Sequence, residues 1–247
     1  MKTTFWRAFA GAIAAIAIMT PSLAEAQITR VSGADTRHSF GVNLGGFFPK
    51  GEDSRVEGDV LVENRSTFLF DIDEFKGFSF GGEYLFGVTD HIEAGVDVSY
   101  YQSTAPSAYD PFFATHEDGR LIEQEFKLRI VPVTASVRFI PTGRNATVQP
   151  YFGIGLGLLN WRYSETGEFV DFSDNTIFRE RYVADGTEVA PVVIGGLRFL
   201  ALDVWTVGGE VRWQKADADT GGASVGFFGD RVDLGGWTAN FNIHFRF

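Results

Sequence analysis

Charged residues recur at every second position in several stretches that are otherwise aromatic and aliphatic. Carboxylates and guanidinium groups on one face of a sheet could form an ion-pair network, line a polar path or perform acid–base catalysis. Glu93 and Asp97 argue against catalysis, because at about 3.3 Å per residue they lie about 13 Å apart on one strand. We predict a network whose members are Glu83, Glu93, Asp97, Glu125, Lys127, Arg129, Arg138, Arg198, Glu210, Arg212 and Arg246.

Other catalytic arrangements have weak support in the sequence. A hydrolase of the serine type needs a histidine close to a serine and an acid that orients the histidine. His116 precedes Glu117 and Asp118, but no strand places a serine beside it. The chain has no cysteine, which excludes thiolate and disulfide chemistry. We therefore predict no catalytic residue, no metal ligand and no cofactor.

The stretch Trp237–Phe247 shows which elements carry the charged face. Trp237, Phe241 and Phe245 alternate with polar residues that include His244 and Arg246. Strict period two predicts a strand with one apolar and one polar face. Seven further stretches have this pattern, at Ser39–Phe48, Phe78–Phe86, Ile92–Tyr100, Leu121–Phe139, Gln149–Tyr163, Glu188–Leu200 and Val204–Trp213.

The long fourth strand changes character near its middle. In its second half Arg138 alternates with Val137 and Phe139. We place its first-half charges in the interior as well, which requires a change of phase and a bulge at Val131–Val133 around Pro132. This interpretation puts the following apolar residues on the outside: Ile122, Phe126, Leu128 and Ile130.

The links between strands alternate in length. Short links are predicted at 87–90, 140–148 and 201–203, and long ones at 49–74, 102–120, 164–187 and 214–231. In an up-and-down barrel all long links then lie at one end, as in outer-membrane barrels. A soluble barrel would need an apolar interior, whereas an arginine or lysine facing lipid costs about 2–4 kcal/mol. The sequence predicts an all-β, eight-stranded antiparallel transmembrane barrel with its charges inside.

The first 26 residues have the features of a secretory signal peptide. Lys2 and Arg7 precede an apolar run, and Ala24–Ala26 matches the A-x-A cleavage pattern. We predict a signal peptide at 1–26 and a barrel domain at 27–247. The formal net charge of −11 argues against a nucleic-acid partner.

The chain resembles the OmpA-type and OmpW-type eight-stranded outer-membrane barrels. The resemblance rests on the signal peptide, on VQPYFGIGLGL at Val148–Leu158 and on the terminal FNIHFRF. It implies a monomer of the Gram-negative cell outer membrane, in contact with its lipids and lipopolysaccharide. It also implies that the barrel assembly machinery reads the final strand through Phe247, Phe245 and Ile243.

Three functions follow from this resemblance and from the charge pattern. The favoured one is a structural or surface-interaction role with a plugged polar lumen, in which acidic loops bind lipopolysaccharide through divalent cations. The alternative is a porin-like passive pore, or a lateral route for hydrophobic molecules, for which Phe47, Leu85 and Ile194 are the inward apolar candidates. A lipid A-modifying enzyme is the least favoured.

Overall fold

Eight antiparallel strands form a closed ring, which confirms the predicted eight-stranded barrel. The structure, a computed structural model, describes residues 36–247, so the predicted signal peptide lies outside the described residues. The strands are β1 (His38–Pro49), β2 (Phe68–Leu69), β3 (Gly77–Gly87), β4 (Ile92–Tyr109), β5 (Glu123–Phe139), β6 (Val148–Asp171), β7 (Thr176–Leu202), β8 (Trp205–Gln214), β9 (Asp217–Asp219), β10 (Arg231–Asp233) and β11 (Gly236–Arg246). The ring runs β1-β3-β4-β5-β6-β7-β8-β11 and returns to β1.

The first and last ring strands close the barrel. They pair from Ser39 opposite Arg246 to Pro49 opposite Gly236. Beyond this ladder, the backbones of His38 and Phe247 exchange hydrogen bonds with N···O distances of 3.1 and 2.9 Å. Where all eight strands pair, the ring therefore presents no open strand edge, which a wall facing hydrocarbon must avoid.

One half of the barrel carries an apolar outer surface. Here outward side chains of all eight ring strands are aliphatic or aromatic and exposed. We call this surface the apolar belt, and the surrounding part of the barrel the belt half. No helix in residues 36–247 has the length and apolarity needed to cross a bilayer. The belt includes Phe40, Val42, Leu44, Phe80, Val96, Val98, Val133, Val137, Ile154, Leu156, Leu158, Val193, Val211 and Phe241.

Four strands continue beyond the belt and form what we call the upper half. It consists of residues 100–109, 123–130, 160–171 and 176–188. The predicted loop 164–187 is wrong, because β6 and β7 stay paired until Asp171 opposite Thr176. Their turn contains Asn175 with φ 59°, a left-handed conformation that asparagine tolerates well.

The predicted change of phase in β5 is also wrong. Even-numbered residues face inward along its whole length, from Gln124 to Arg138. The pairing with β6 continues through Pro132 opposite Leu159 without a shift. The alternation is continuous, and only the chemical nature of the inward residues changes, from apolar in the upper half to polar in the belt half.

Two long loops cover the end of the upper half. The loop between β1 and β3 contains a short helix, Val60–Asn64, whose side chains Val60 and Leu61 are fully buried. The loop between β8 and β11 contains the small β9–β10 ribbon. The remaining ring connections at this end are the segment 110–122 and the turn 172–175.

Candidate functional site in the barrel interior

The belt half contains a buried ion-pair network centred on Arg138. Its guanidinium lies 2.5 Å from Glu83 and 3.1 Å from Glu210. Nε2 of His244 lies 2.5 Å from Oε1 of Glu83. The Tyr151 hydroxyl donates to Glu210 at 3.0 Å. The two carboxylates, on β3 and β8, are thus contacted by groups from β5, β6 and β11, so the five strands are cross-linked through the lumen.

Arg212 joins a further carboxylate to the same network. It contacts Asp97 at 2.5 Å and Glu210 at 2.8 Å. Asn43 donates to the other Asp97 oxygen at 3.1 Å. Buried charges are tolerated when they are paired, and each of these carboxylates has a basic partner. The hydrogen bonding is incomplete, because Nε and Nη1 of Arg138 have no partner in the described residues.

Arg144 closes the network at the end with the short turns. It contacts Glu93 at 2.9 Å, and Arg198 contacts the other oxygen of Glu93 at 2.5 Å. Arg144 belongs to the turn 140–147, and sequence reasoning missed it because a lone arginine in a turn carries no periodic signal. The structure explains the glycine at position 87, because a Cβ there would collide with the guanidinium of Arg144.

The predicted network is only partly assembled. The structure brings eight predicted members into the buried interior: Glu83, Glu93, Asp97, Arg138, Arg198, Glu210, Arg212 and Arg246. The prediction for Glu125, Lys127 and Arg129 is wrong, because these residues face outward from β5. They lie in the upper half, above the apolar belt, so their charged groups are not part of the apolar outer surface.

The interior of the upper half is an apolar core rather than a polar lumen. Phe126, at its centre, is fully buried, and its ring centroid lies 5.3 Å from Phe68 and 5.1 Å from Phe70. The candidates Phe47, Leu85 and Ile194 are buried as predicted, and many further apolar side chains also face inward. The core draws on both wall and loops, and includes Phe47, Leu61, Phe75, Tyr101, Leu128, Ile130, Leu159, Trp161, Tyr163, Phe227 and Leu234.

A polar cluster fastens the two covering loops to each other. Asp59 caps the short helix, accepting from Leu61 N at 3.0 Å, and is paired with Arg55 at 2.7 Å. Its other oxygen accepts from the backbone N of Asp233 at 2.6 Å. The Asp233 carboxylate is paired with Lys50 at 2.8 Å. Each of these two buried aspartates bridges one loop to the other.

Glu165 is a buried carboxylate of the upper half that has no basic partner among residues 36–247. Its Oε1 accepts from Asn64 at 2.7 Å and from the Tyr163 hydroxyl at 3.0 Å. Burial raises the pKa of Glu165 from 4.5 to about 7, because desolvation disfavours the charged form. Since Asn64 ends the short helix of the first loop, Glu165 links the barrel wall to that loop.

The two halves leave little space where they meet. A cavity of about 20 Å³ lies between Phe47, Tyr101, Ile130 and Arg212, which suffices for about one water molecule. The histidines are occupied elsewhere: His116 contacts Glu168 at 2.9 Å, and His244 contacts Glu83. Within the described part of the chain, no serine hydroxyl is hydrogen-bonded to a histidine, and no cluster of His, Asp or Glu could hold a metal.

The predicted assembly residues lie on the outer wall of β11 and just beyond it. Phe245 and Phe247 are exposed, and their rings stack with centroids 6.0 Å apart. Ile243 is half-buried on the same face. Their role in assembly stays a prediction.

No protein-family model matches the chain, and no curated protein matches it. Several solved structures are similar in fold. The N-terminal β-barrel domain of Pseudomonas aeruginosa OprF is 10% identical (86% of this chain and 98% of that chain covered, TM-score 0.38). Neisserial surface protein A is 12% identical (85% and 96% covered, TM-score 0.44). The E. coli outer membrane protein W is 17% identical (87% and 100% covered, TM-score 0.39).

Proposed function

We propose that the protein is a monomeric, non-enzymatic outer-membrane barrel with a closed lumen, acting as a structural element or as a surface for interactions. The apolar belt supports a position in a bilayer, because side chains such as Ile154 and Leu156 are exposed and would otherwise face water. In the belt half the charged side chains point into the barrel and the apolar side chains point outward, which is the arrangement of a lipid-facing barrel.

The single observation that supports a closed lumen is that side chains fill the interior of both the belt half and the upper half. The belt half is cross-linked by ion pairs such as Arg138–Glu83, and the upper half is packed around Phe126. An eight-stranded barrel has an interior just wide enough for side chains to fill. A solute would have to displace both layers.

The alternative function, a passive pore or a lateral route for hydrophobic molecules, has one observation in its favour. The upper interior is apolar, as a route for hydrophobic molecules would require. In this structure the loop residues Leu61, Phe68 and Phe75 occupy that space and are almost fully buried. Transport would therefore depend on movement of the first loop.

Conductance across a planar bilayer tests the proposal. The protein is refolded, and its insertion is verified by the shift in gel mobility between heated and unheated samples. We expect no resolved channel openings from the inserted protein. A channel-forming porin inserted into the same bilayer controls for sensitivity. Regular openings from the unmodified protein would reject the closed lumen in favour of the pore.

A further inference from the structure

The four-stranded sheet of the upper half has two edges, and only one of them is covered. One edge is β4, which pairs with β3 as far as Tyr101 and with β2 near its own end. Between these ladders the Ser103 hydroxyl donates to the backbone oxygen of Glu74 at 3.0 Å, and Pro106 has no amide hydrogen to leave unpaired. The other edge is β7, which pairs with β8 only from Val192 onward.

Alternate residues of β7 direct their backbone N–H and C=O groups to this second edge. The carbonyl of Pro191 accepts from the amide of Lys215, just after β8, at 3.4 Å. The amide of Arg181 bonds to the side chain of Glu180 rather than to β6. Because these directions alternate along a strand, odd-numbered residues face the edge and even-numbered residues face β6. Apart from the Arg181 amide, the edge-facing backbone groups of Ile177–Asp185 have no hydrogen-bond partner in residues 36–247.

This open edge has the regularity that a further strand requires. The register between β6 and β7 runs without a shift along the whole of the upper half, and no proline interrupts Ile177–Asp185. The strand β9 does not fill the place, because it pairs with β10 instead. An extended segment can join such an edge through main-chain hydrogen bonds, and its alternate side chains then give specificity.

The side chains along the edge define which segment would fit. Arg179 and Arg181 are exposed on the outward face, and Arg179 has only a 3.6 Å contact with Glu168. On the inward face Phe178 is exposed and Tyr182 is half-buried. Side chains directly opposite each other in an antiparallel pair lie on the same face, where opposite charges stabilise the pair. A fitting segment therefore has two acidic residues at alternate positions on one face and apolar residues on the other.

We propose that the edge of β7 at Ile177–Asp185 binds an extended segment of a partner protein as an added antiparallel strand, with two acidic residues of that segment opposite Arg179 and Arg181. The inference deepens the proposed surface role and rests on it. A second copy in the same membrane does not fit, because its β7 runs in the same direction and offers no antiparallel partner.

The test measures binding of a fluorescent peptide to the refolded protein in detergent by anisotropy. The probe is Lys-Val-Thr-Val-Glu-Thr-Glu-Val-Thr, whose glutamates lie opposite Arg181 and Arg179 when its ends align with Asp185 and Ile177. One derivative is N-methylated at both glutamate amides, which point toward β7 in this pairing. A second is N-methylated at the last two valine amides, which point away, and a third has lysine in place of both glutamates.

We expect the probe and the valine-methylated derivative to bind alike, and the other two derivatives to bind on the order of 10-fold more weakly or less. Bound probe should slow hydrogen exchange of the Arg179 and Val183 amides and leave those of Glu180 and Tyr182 unchanged. Equal binding of the two methylated derivatives would overturn the proposal, and so would undiminished binding of the lysine derivative.

A matched pair of protein variants tests the edge from the other side. Val183→Pro removes a free edge donor and keeps every bond to β6, so it should weaken binding of the probe, whereas Val183→Ile should not. Equal binding by both variants would contradict the edge site. Self-association of the unmodified protein that Val183→Pro abolishes would assign the edge to a second copy and would also overturn the proposal.

The conductance measurement distinguishes failure of the site from failure of the proposed function. An inserted, silent protein that does not bind the probe contradicts the edge site alone. A protein that conducts contradicts the closed lumen, whether or not the probe binds.

Discussion

The two halves of this barrel have the same alternation of residues and opposite polarity. In the belt half of β5, Arg138 is buried inside and Val137 is exposed outside. In the upper half of the same strand, Phe126 is buried inside and Lys127 is exposed outside. The same residue parity faces inward in both halves of the strand, so the difference lies in what surrounds each half. A wall between lipid and a polar interior becomes a wall between water and an apolar core.

The difference shows how each half obtains its stability. The upper half resembles a soluble protein, because removal of apolar side chains from water stabilises its core. The belt half gains nothing from moving apolar groups from lipid into its interior, and it is cross-linked by charge-assisted hydrogen bonds between strands instead. Substitutions should therefore have different effects in the two halves.

Arg138→Leu should have the largest effect. It leaves the buried carboxylates of Glu83 and Glu210 without their shared cation, and breaking a buried pair in this way costs about 3–5 kcal/mol. The free energy of unfolding is measured by urea titration of the refolded protein in vesicles. Arg129→Leu, at an outward position of the same strand, is the matched control and should change it by less than about 1 kcal/mol. Equal losses in both variants would contradict the distinction between the two halves.

An arginine scan along the outer wall should locate the boundary between the halves. Val137→Arg should cost about 2–4 kcal/mol, because it places a charge deep in the belt. Val133→Arg, in the uppermost row of the belt, should cost about 1 kcal/mol or less. Thr166→Arg lies in the upper half opposite Glu125 and should be close to neutral. Urea titration in vesicles measures all three, and a flat profile would show that the belt is not in contact with lipid.

The sequence predicted the barrel, its charged interior and its closed ring, because period two and one polar face are local properties of each strand. It could not predict which of Phe126 and Lys127 faces inward. Alternation shows that a strand has two different faces, but it does not show whether a face contacts lipid, water or the protein interior. The ribbon formed by β6 and β7 was missed because residues 164–187 show no sustained alternation of apolar and polar side chains. Arg144 and Asp59 lie in a turn and a loop, where only the folded chain shows their partners.

The smallest predicted effect concerns Glu165, which joins the upper wall to the first loop. Its pKa is about 7 in the folded protein and 4.5 ordinarily, so the folded state binds the proton more tightly. The resulting stabilisation is complete below about pH 4.5 and is lost as the pH rises through about 7. Between pH 5.5 and 7.5 the loss is about 2 kcal/mol. Ionisation leaves a charge beside Asn64 and Tyr163 without a cation.

Hydrogen exchange of the amides in Val60–Asn64 measures the opening of the loop, and Glu165→Gln provides the control. The variant removes the titrating group, so the difference between the two proteins should depend on pH, whereas parallel profiles would mean that Glu165 does not control the loop.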